Sequence, residues 1–180
     1  MPATQRRVSA PAKVRLRDFS RSLPMSLLRA RETVMRHFRA ILREANITEQ
    51  QWRVLRALTS VDEIEVSALA RKTFLLAPSL SRILKTLDEQ GLIERRFLAS
   101  DLRRSVITIA PRGSALIDEV APRSEAIYAR IAERFGADRL AQLQQMLAEL
   151  EQCMLPDAPP AEDDAEPPPA SAQPRSRRAK

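Results

Sequence analysis

The sequence predicts a mainly α-helical fold with one small β-hairpin. Apolar residues recur at helical spacing through most of the chain. Only three of the 180 residues are glycine, which favours long helices over a fold with many tight turns. After Gly91 the pattern changes to a two-residue alternation, which is typical of strands. The hairpin is therefore expected in the middle of an otherwise helical chain.

Basic charge is concentrated in one stretch of the chain. The formal net charge is +7 and the isoelectric point is about 10.6. Residues 71–112 hold nine Lys and Arg side chains against four Asp and Glu side chains. Because such a local excess of positive charge attracts polyanions, this stretch predicts an anionic partner such as nucleic acid.

The composition disfavours several protein classes. Cys153 is the one cysteine, which excludes an intramolecular disulfide and suits a reducing cytoplasm. One histidine and one cysteine make a Cys/His metal site improbable. No apolar run approaches the roughly 18 residues of a membrane span, and no nucleophile, metal cluster or Gly-rich phosphate loop suggests catalysis. We expect a cytoplasmic protein that is not an enzyme and has no cofactor, metal or membrane partner.

Composition divides the chain into three parts. Residues 1–23 are basic and weakly patterned, which predicts a flexible N-terminal arm. Residues 24–155 hold the apolar periodicity and form the folded domain. Residues 156–180 are rich in Pro, Ala and acidic side chains and then become basic, a composition that predicts disorder because it cannot bury enough apolar surface.

Four helices are predicted before the hairpin. The first has an apolar stripe and extends to about residue 46; its members are Leu28, Met35, Phe38, Leu42 and Ala45. Thr48 and Gln51 match a capping box at the start of a second helix that ends near Leu58. A third covers 66–72, and a fourth begins near Pro78 and ends at Gly91, a favoured residue for a left-handed cap.

The hairpin and two long helices complete the folded part. Alternating apolar and polar residues around Ile93–Phe97 and Ser105–Ile109 predict two strands, with residues 98–104 as a basic connection. Helices are predicted over 111–135 and 137–155, separated by Gly136. We expect residues 24–46 and 111–155 to form a dimerisation region and residues 47–110 to form a separate lobe.

The fourth helix has two contrasting faces. One face is apolar and is expected to be buried; its members are Leu80, Ile83, Leu84 and Leu87. The remaining surface presents hydroxyl and basic side chains, of which the candidates for DNA contact are Ser79, Ser81, Arg82, Lys85 and Thr86. Hydroxyls and arginine reach base edges in the major groove, whereas lysine meets phosphates. Taken alone, the same face could equally be a solvated helix surface.

The hairpin supplies a second basic element. Arg103 and Arg104 lie at its tip, and Arg95 lies on its first strand. Arginine at such a tip suits a narrow minor groove, where the negative potential is high. A helix pair followed by a basic hairpin is a winged helix-turn-helix, so the sequence predicts binding to double-stranded DNA.

These residues also resemble a known family. Leu69–Ala70, the run SLSRILKTLDEQGLI at 79–93 and DLRR at 101–104 resemble the MarR family of transcription regulators. The resemblance covers residues 25–155. It implies a winged helix-turn-helix fold, a homodimer on a palindromic operator and a response to a small ligand.

Three segments are similar to one subgroup of that family, which regulates homoprotocatechuate degradation. They are LLRARE at 27–32, ITEQQWRVLR at 47–56 and LAPSL at 76–80. The resemblance implies a ligand-responsive repressor of an aromatic-compound catabolic operon. Two alternatives stay open: a regulator of drug, phenolic or oxidative stress, and a winged-helix module that binds protein instead of DNA.

The resemblance also implies where an effector binds. In the family, aromatic acids lie between the first two helices and the DNA-binding part. The candidates for contact here are Arg31, His37, Trp52 and Arg53, because arginine suits a carboxylate and an indole or imidazole suits an aryl ring. The alternative is that Trp52 is a core residue and His37 a surface residue.

The last helix has a heptad-like apolar seam. Its members are Leu140, Leu143, Leu147, Leu150 and Met154. Such a seam predicts contact with another helix, which could belong to the same chain or to a partner. Because the family builds its dimer from the first and last helices, the resemblance favours a homodimer interface.

Overall fold

The fold is described from a computed structural model, which covers residues 18–98 and 101–155 and gives only the backbone of residues 98 and 101–104. Within these residues a 3-10 helix at Phe19–Arg21 precedes six α-helices and three strands. They are α1 (Leu23–Glu44), α2 (Glu49–Leu58), β1 (Ile64–Glu65), α3 (Val66–Thr73), α4 (Ala77–Glu89), β2 (Ile93–Leu98), β3 (Asp101–Ile109), α5 (Pro111–Phe135) and α6 (Ala137–Met154). The mainly helical fold with a small β-hairpin is confirmed. The arm was predicted over residues 1–23, but within it Phe19–Arg21 form the 3-10 helix and α1 begins at Leu23. Residues 1–17 and the predicted tail, 156–180, lie outside the described residues.

The capping box predicted for α2 is present. The Gln51 backbone N–H donates to the Thr48 hydroxyl at 3.2 Å, and the Thr48 N–H donates to the Gln51 side-chain oxygen at 2.8 Å. Two backbone donors that the first turn leaves unpaired are thereby satisfied. This cap fixes the start of α2, where Glu49 enters the site described below.

The sheet contains a strand that the sequence did not reveal. The strand order is β1-β3-β2, with both pairs antiparallel. Strand β1 has only two residues, Ile64 and Glu65, so it shows no detectable alternation. The strands also extend into the predicted 98–104 connection, because Leu98 pairs with Asp101 after an irregularity at Phe97/Leu98. Residues 98 and 101–104, which were expected in the connection, therefore belong to the strands.

Two apolar cores lie side by side. The first joins α2, α3, α4 and the sheet, with Leu55, Leu80 and Ile107 fully buried. The second joins α1 to α5 around Leu42 and other buried side chains. Trp52 packs against both cores. The lobe with the sheet and the α1–α5 region therefore meet at Trp52.

The first turn of α5 lies directly against the backbone at the base of the hairpin. A Cβ added to Gly113 would lie 2.1 Å from the Leu92 carbonyl oxygen. The same oxygen accepts a hydrogen bond from the Ala110 N–H at 3.1 Å. Only glycine permits this approach, which holds α5 against the hairpin lobe.

Helix α6 buries none of its residues 137–154 within the described part of the chain. On the predicted seam, Leu143 and Leu147 are each 40% exposed and Met154 is 56% exposed, while Leu140 and Leu150 are half-buried. The N-terminal half of α1 likewise exposes Leu23, Leu27 and Leu28. Two apolar surfaces, on α6 and on the start of α1, are thus left exposed by residues 18–98 and 101–155. No described helix has the length and apolar character to cross a membrane.

Candidate nucleic-acid interface and junction cavity

The turn between α3 and α4 sets the direction of α4. Phe74 adopts a left-handed conformation (φ 51°), and its N–H donates to the Arg71 carbonyl at 3.3 Å. The next N–H, of Leu75, donates to the Ala70 carbonyl at 3.2 Å. This pair of bonds is a Schellman motif, which normally has glycine at the left-handed position. The chain then enters α4 at Ala77, and Pro78 occupies its first turn.

Helix α4 lies with its apolar side on the first core. Leu80, Leu84 and Leu87 are buried, and Ile83 is half-buried. The five candidates for DNA contact are all exposed; we call them the outward face of α4: Ser79, Ser81, Arg82, Lys85 and Thr86. The two-faced helix predicted from the sequence is therefore present.

The outward face has few contacts of its own. The Lys85 ammonium lies 3.8 Å from the Glu89 carboxylate, a loose pair between two exposed side chains. The Thr86 hydroxyl donates to the Arg82 carbonyl at 3.1 Å. The Arg82 guanidinium forms no ion pair with a described residue. These groups therefore remain available to an external partner.

The described arginines of the hairpin have more contacts within the chain than Arg82 has. Arg95 Nε donates to the Ser105 hydroxyl at 3.1 Å, and its guanidinium lies 5.1 Å from the Phe97 ring centroid. Arg96 pairs with Glu63 at 2.6 Å. The side chains of Arg103 and Arg104, which the sequence places at the tip, lie outside the described residues.

A cavity of about 520 Å³ lies where the two cores meet; we call it the junction cavity. It opens between α1, α2, the α3–α4 turn and α5. Aromatic and apolar side chains form much of its wall: Val34, Met35, Phe38, Trp52, Phe74 and Tyr128. The charged members of the wall are Arg31, Glu49, Arg53, Arg56 and Lys72. An apolar cavity of this size with a few polar groups suits a small organic ligand.

Three of the four predicted effector contacts meet in the junction cavity. Arg31, Trp52 and Arg53 line it, and Trp52 is half-buried. His37 does not line it. His37 lies in a smaller cavity of about 240 Å³ between α1 and α5, beside Arg130 and Arg134.

Glu49 gathers three arginines at one edge of the junction cavity. Its side chain is only 12% exposed, and it pairs with Arg31, with Arg39 at 3.0 Å and with Arg53 at 3.2 Å. Arg39 also holds Glu32 through two bonds of 2.8 and 3.0 Å. These hydrogen bonds lower the pKa of Glu32 from its ordinary value. The charges on this edge are therefore largely satisfied before any ligand arrives.

Most of the cavity wall was not among the predicted effector contacts, and Arg56 and Tyr128 are the members that bear most on an aromatic acid. The Arg56 guanidinium lies 6.0 Å from the Trp52 ring centroid and forms no ion pair within the described part of the chain. Tyr128 contacts Phe38 with ring centroids 5.1 Å apart. Arg56 could have been found, because it follows Trp52 by one helical turn. Tyr128 has no such signal, since α5 meets α2 only through the tertiary fold.

Comparison with known proteins gives the family. A model of the MarR family matches residues 45–104, which contain α2 to α4 and most of the hairpin. The regulator FarR of Neisseria gonorrhoeae is 36% identical over 129 residues, which are 72% of this chain and 88% of that protein. The chain belongs to the MarR family.

Two further MarR-like proteins bear on the site. The homoprotocatechuate degradative operon repressor of Escherichia coli is 36% identical over 128 residues, covering 71% of this chain and 86% of that one. The crystal structure of NadR in complex with 4-hydroxyphenylacetate superposes with a TM-score of 0.66 at 34% identity, covering 76% of this chain and 96% of that chain. The similarity to both proteins thus extends well beyond the segment that the MarR family model matches.

Proposed function

We propose that this MarR-family chain is a transcription repressor of an aromatic-compound catabolic operon, which binds palindromic DNA as a homodimer and is released by a small aromatic acid. The observation that supports this best is that the junction cavity lies next to the start of α4. The junction cavity and the outward face of α4 share one short turn at Phe74, so a ligand in the cavity contacts the element that orients the DNA-facing helix.

The DNA contact is assigned to α4 and the hairpin. The outward face of α4 enters the major groove, where the Ser79 and Ser81 hydroxyls and the Arg82 guanidinium contact base edges, and Lys85 meets phosphate. Arg95, Arg103 and Arg104 follow the backbone and the adjacent minor groove. The rival idea of a protein-binding winged module has less support, because an outward face of hydroxyls and exposed cations suits phosphates and bases.

The homodimer is assigned to the exposed ends of the fold. The α6 seam, of which Leu143 and Leu147 are 40% exposed, needs a covering helix that this chain does not provide in its described part. A two-fold partner covers both this seam and the exposed N-terminal half of α1. Two α4 helices then lie one helical turn apart along the DNA, which matches a palindromic site.

The effector is assigned from the cavity wall and from relatives. One relative represses a homoprotocatechuate degradative operon, and another binds 4-hydroxyphenylacetate. In this chain the aryl ring packs on Trp52 and Tyr128, and the carboxylate binds Arg56, which lies over the Trp52 ring and forms no ion pair with a described residue. Arg31 and Arg53 lie beside it. His37, outside the junction cavity, is left out of this assignment.

The test uses fluorescence anisotropy of a labelled duplex that carries the site enriched by in vitro selection with the protein. Binding should weaken steeply with salt, because each phosphate contact releases counterions. We expect 4-hydroxyphenylacetate and homoprotocatechuate to release the duplex. Tyrosol, an alcohol with the same ring and no carboxylate, is the matched control and should not. Release of the duplex by tyrosol, or failure of both acids to release it, would refute the assigned effector. Duplex binding that does not depend on salt would refute the DNA assignment.

A further inference from the structure

Arg53 connects the junction cavity to the helix-turn-helix turn. Its Nη2 donates to Glu49 Oε1 at 3.2 Å, and its Nη1 donates to the Thr73 carbonyl at 3.0 Å. Thr73 is the last residue of α3 and directly precedes Phe74. One guanidinium fork therefore joins α2, in the cavity wall, to the end of α3.

The Thr73 carbonyl has a special position. It is one of the last carbonyls of α3, which have no partner within the helix. The Schellman bonds satisfy the carbonyls of Ala70 and Arg71, so they leave that of Thr73 to Arg53. Without Arg53 this oxygen would lose its charge-assisted bond. The bond thus adds to the stability of the turn in its present geometry.

The turn is also the least favourable backbone in the neighbourhood. Phe74 has a Cβ and yet adopts φ 51°, a left-handed conformation that glycine prefers. The residue is 81% exposed, so burial of its side chain does not explain the conformation. Because the geometry depends on surrounding hydrogen bonds, loss of one of them shifts the turn toward other conformations.

We infer that Arg53 is the positioning residue through which an aromatic acid in the junction cavity loosens the turn before α4. The inference rests on the proposed function and deepens it. Arg53 and Arg56 are three residues apart on α2 and share one face. A carboxylate bound to Arg56 therefore lies beside Arg53, and its negative charge competes with the neutral Thr73 carbonyl for the guanidinium.

Acid binding and DNA binding are thermodynamically linked through this turn. The ligand draws Arg53 away from Thr73, the turn relaxes, and α4 loses the orientation that DNA requires. An acid can shift this equilibrium only because its free energy of binding differs between the two states. Glu49 keeps the remaining end of the fork in place, together with Arg39 at 3.0 Å. Arg53 thus has two acceptors in the DNA-competent state and exchanges one of them when the acid binds.

The test is Arg53→Gln, studied by two titrations. One measures the affinity for the selected duplex with and without saturating 4-hydroxyphenylacetate; the other measures acid binding to the free protein by calorimetry. We expect the acid to weaken duplex binding by the wild-type protein by about tenfold or more. Without acid, Arg53→Gln should already bind the duplex as weakly as the acid-saturated wild type. Added acid should change the affinity of the Arg53→Gln protein for the duplex by less than about twofold.

Acid binding distinguishes this role from an ordinary ligand contact. Arg53→Gln removes both the cation that the acid gains and the bond to Thr73 that the acid must displace, so its affinity for the acid should stay within about threefold of the wild-type value. If Arg53 were simply a ligand contact, acid binding would fall and duplex binding would be unchanged; that result overturns the inference. A variant with wild-type duplex affinity and wild-type acid response also overturns it.

Two more variants protect the test. Arg36→Gln removes an exposed arginine of α1 that does not line the junction cavity, and it should behave as wild type. Should Arg53→Gln fail to fold, Arg53→Lys keeps the charge but lacks the fork that bridges two acceptors, and it should shift both titrations in the same direction. If the wild-type protein binds no acid, the proposed effector is wrong and the inference that rests on it also fails. If only the inference is wrong, the wild-type protein still binds the acid.

Discussion

The outward face of α4 and the junction cavity both display arginine, but they differ in the partners that these arginines have. Arg82 forms no ion pair with a described residue, whereas Arg53 is held by Glu49 and by the Thr73 carbonyl. The exposed cation attracts a polyanion at low cost. The partnered cation instead responds when a new anion competes for it. Residue type alone therefore does not assign the role of an arginine in this fold; its existing partners do.

Breaking the dimer should have the largest effect, because both outward faces are needed on one operator. Leu147→Glu puts two charges into one apolar interface, which is costly when they are unpaired. Affinity for the palindromic duplex should fall by more than about a hundredfold, while salt-sensitive binding to any duplex persists. Sedimentation velocity and duplex titration measure the two effects.

The matched control is Gln152→Glu, on the opposite side of the same helix and exposed. It should remain dimeric and bind the palindrome normally. If Leu147→Glu also stays dimeric, the α6 seam is not the interface, and the exposed α1 surface with Leu23 and Leu27 becomes the candidate.

The next largest effect concerns the outward face. Arg82→Ala should weaken binding to the selected duplex by about 1–3 kcal/mol and relax preference at one base position. Arg43→Ala, which removes an exposed arginine of α1, should leave the affinity unchanged. Competition titrations against single-base variants of the duplex show whether sequence preference is lost. Equal affinity of Arg82→Ala and wild type would contradict the major-groove assignment.

A third variant tests whether Arg56 binds the carboxylate of the acid without taking part in the coupling to DNA that is assigned to Arg53. Arg56→Gln removes the cation to which the carboxylate is assigned, so acid affinity should fall by about tenfold or more, roughly the value of one charge-assisted hydrogen bond. Duplex affinity without acid should remain at the wild-type value. This is the reverse of the pattern expected for Arg53→Gln, and calorimetry with duplex titration distinguishes the two. Undiminished acid binding would move the carboxylate to another cation of the wall.

The smallest effect concerns the turn itself. Phe74→Gly relieves the left-handed strain and should raise the free energy of unfolding by about 1 kcal/mol. Phe74→Ala removes the same exposed ring but retains the Cβ, so it should bring no such gain. Chemical denaturation of both variants measures the difference. Equal stability of the glycine and alanine variants would mean that the turn is unstrained.

Much of the fold could be predicted from sequence because its determinants are local. The capping box at Thr48, the two-faced α4 and the alternation after Gly91 each express a preference within a few residues. Strand β1 could not be predicted, since its two residues become a strand only by pairing with Ile107 and Val106. The extent of the strands was misjudged for a related reason: the basic, polar sequence suggested a tip, but pairing resumes at Leu98 and Asp101 after the register shift at Phe97/Leu98.

The candidate site also has one part that the sequence could predict and one part that it could not. The outward face of α4 was predictable, because exposure of Arg82 and Lys85 follows from helical periodicity. The junction cavity depends on how α1, α2 and α5 meet, so the sequence pointed to Trp52 and Arg53 but gave no sign that Tyr128 lies beside them or that His37 lies elsewhere. The bond from Arg53 to Thr73 spans 20 residues and one helix terminus. No local pattern indicates such a contact.

The central claim is that the junction cavity and the DNA-binding face oppose each other energetically. Calorimetry of 4-hydroxyphenylacetate binding, first to the free protein and then to its complex with the selected duplex, tests this directly. Because coupling is reciprocal, the duplex must weaken acid binding by the same factor by which the acid weakens duplex binding, here about tenfold or more. Equal acid affinity for the free protein and for the complex would contradict the account.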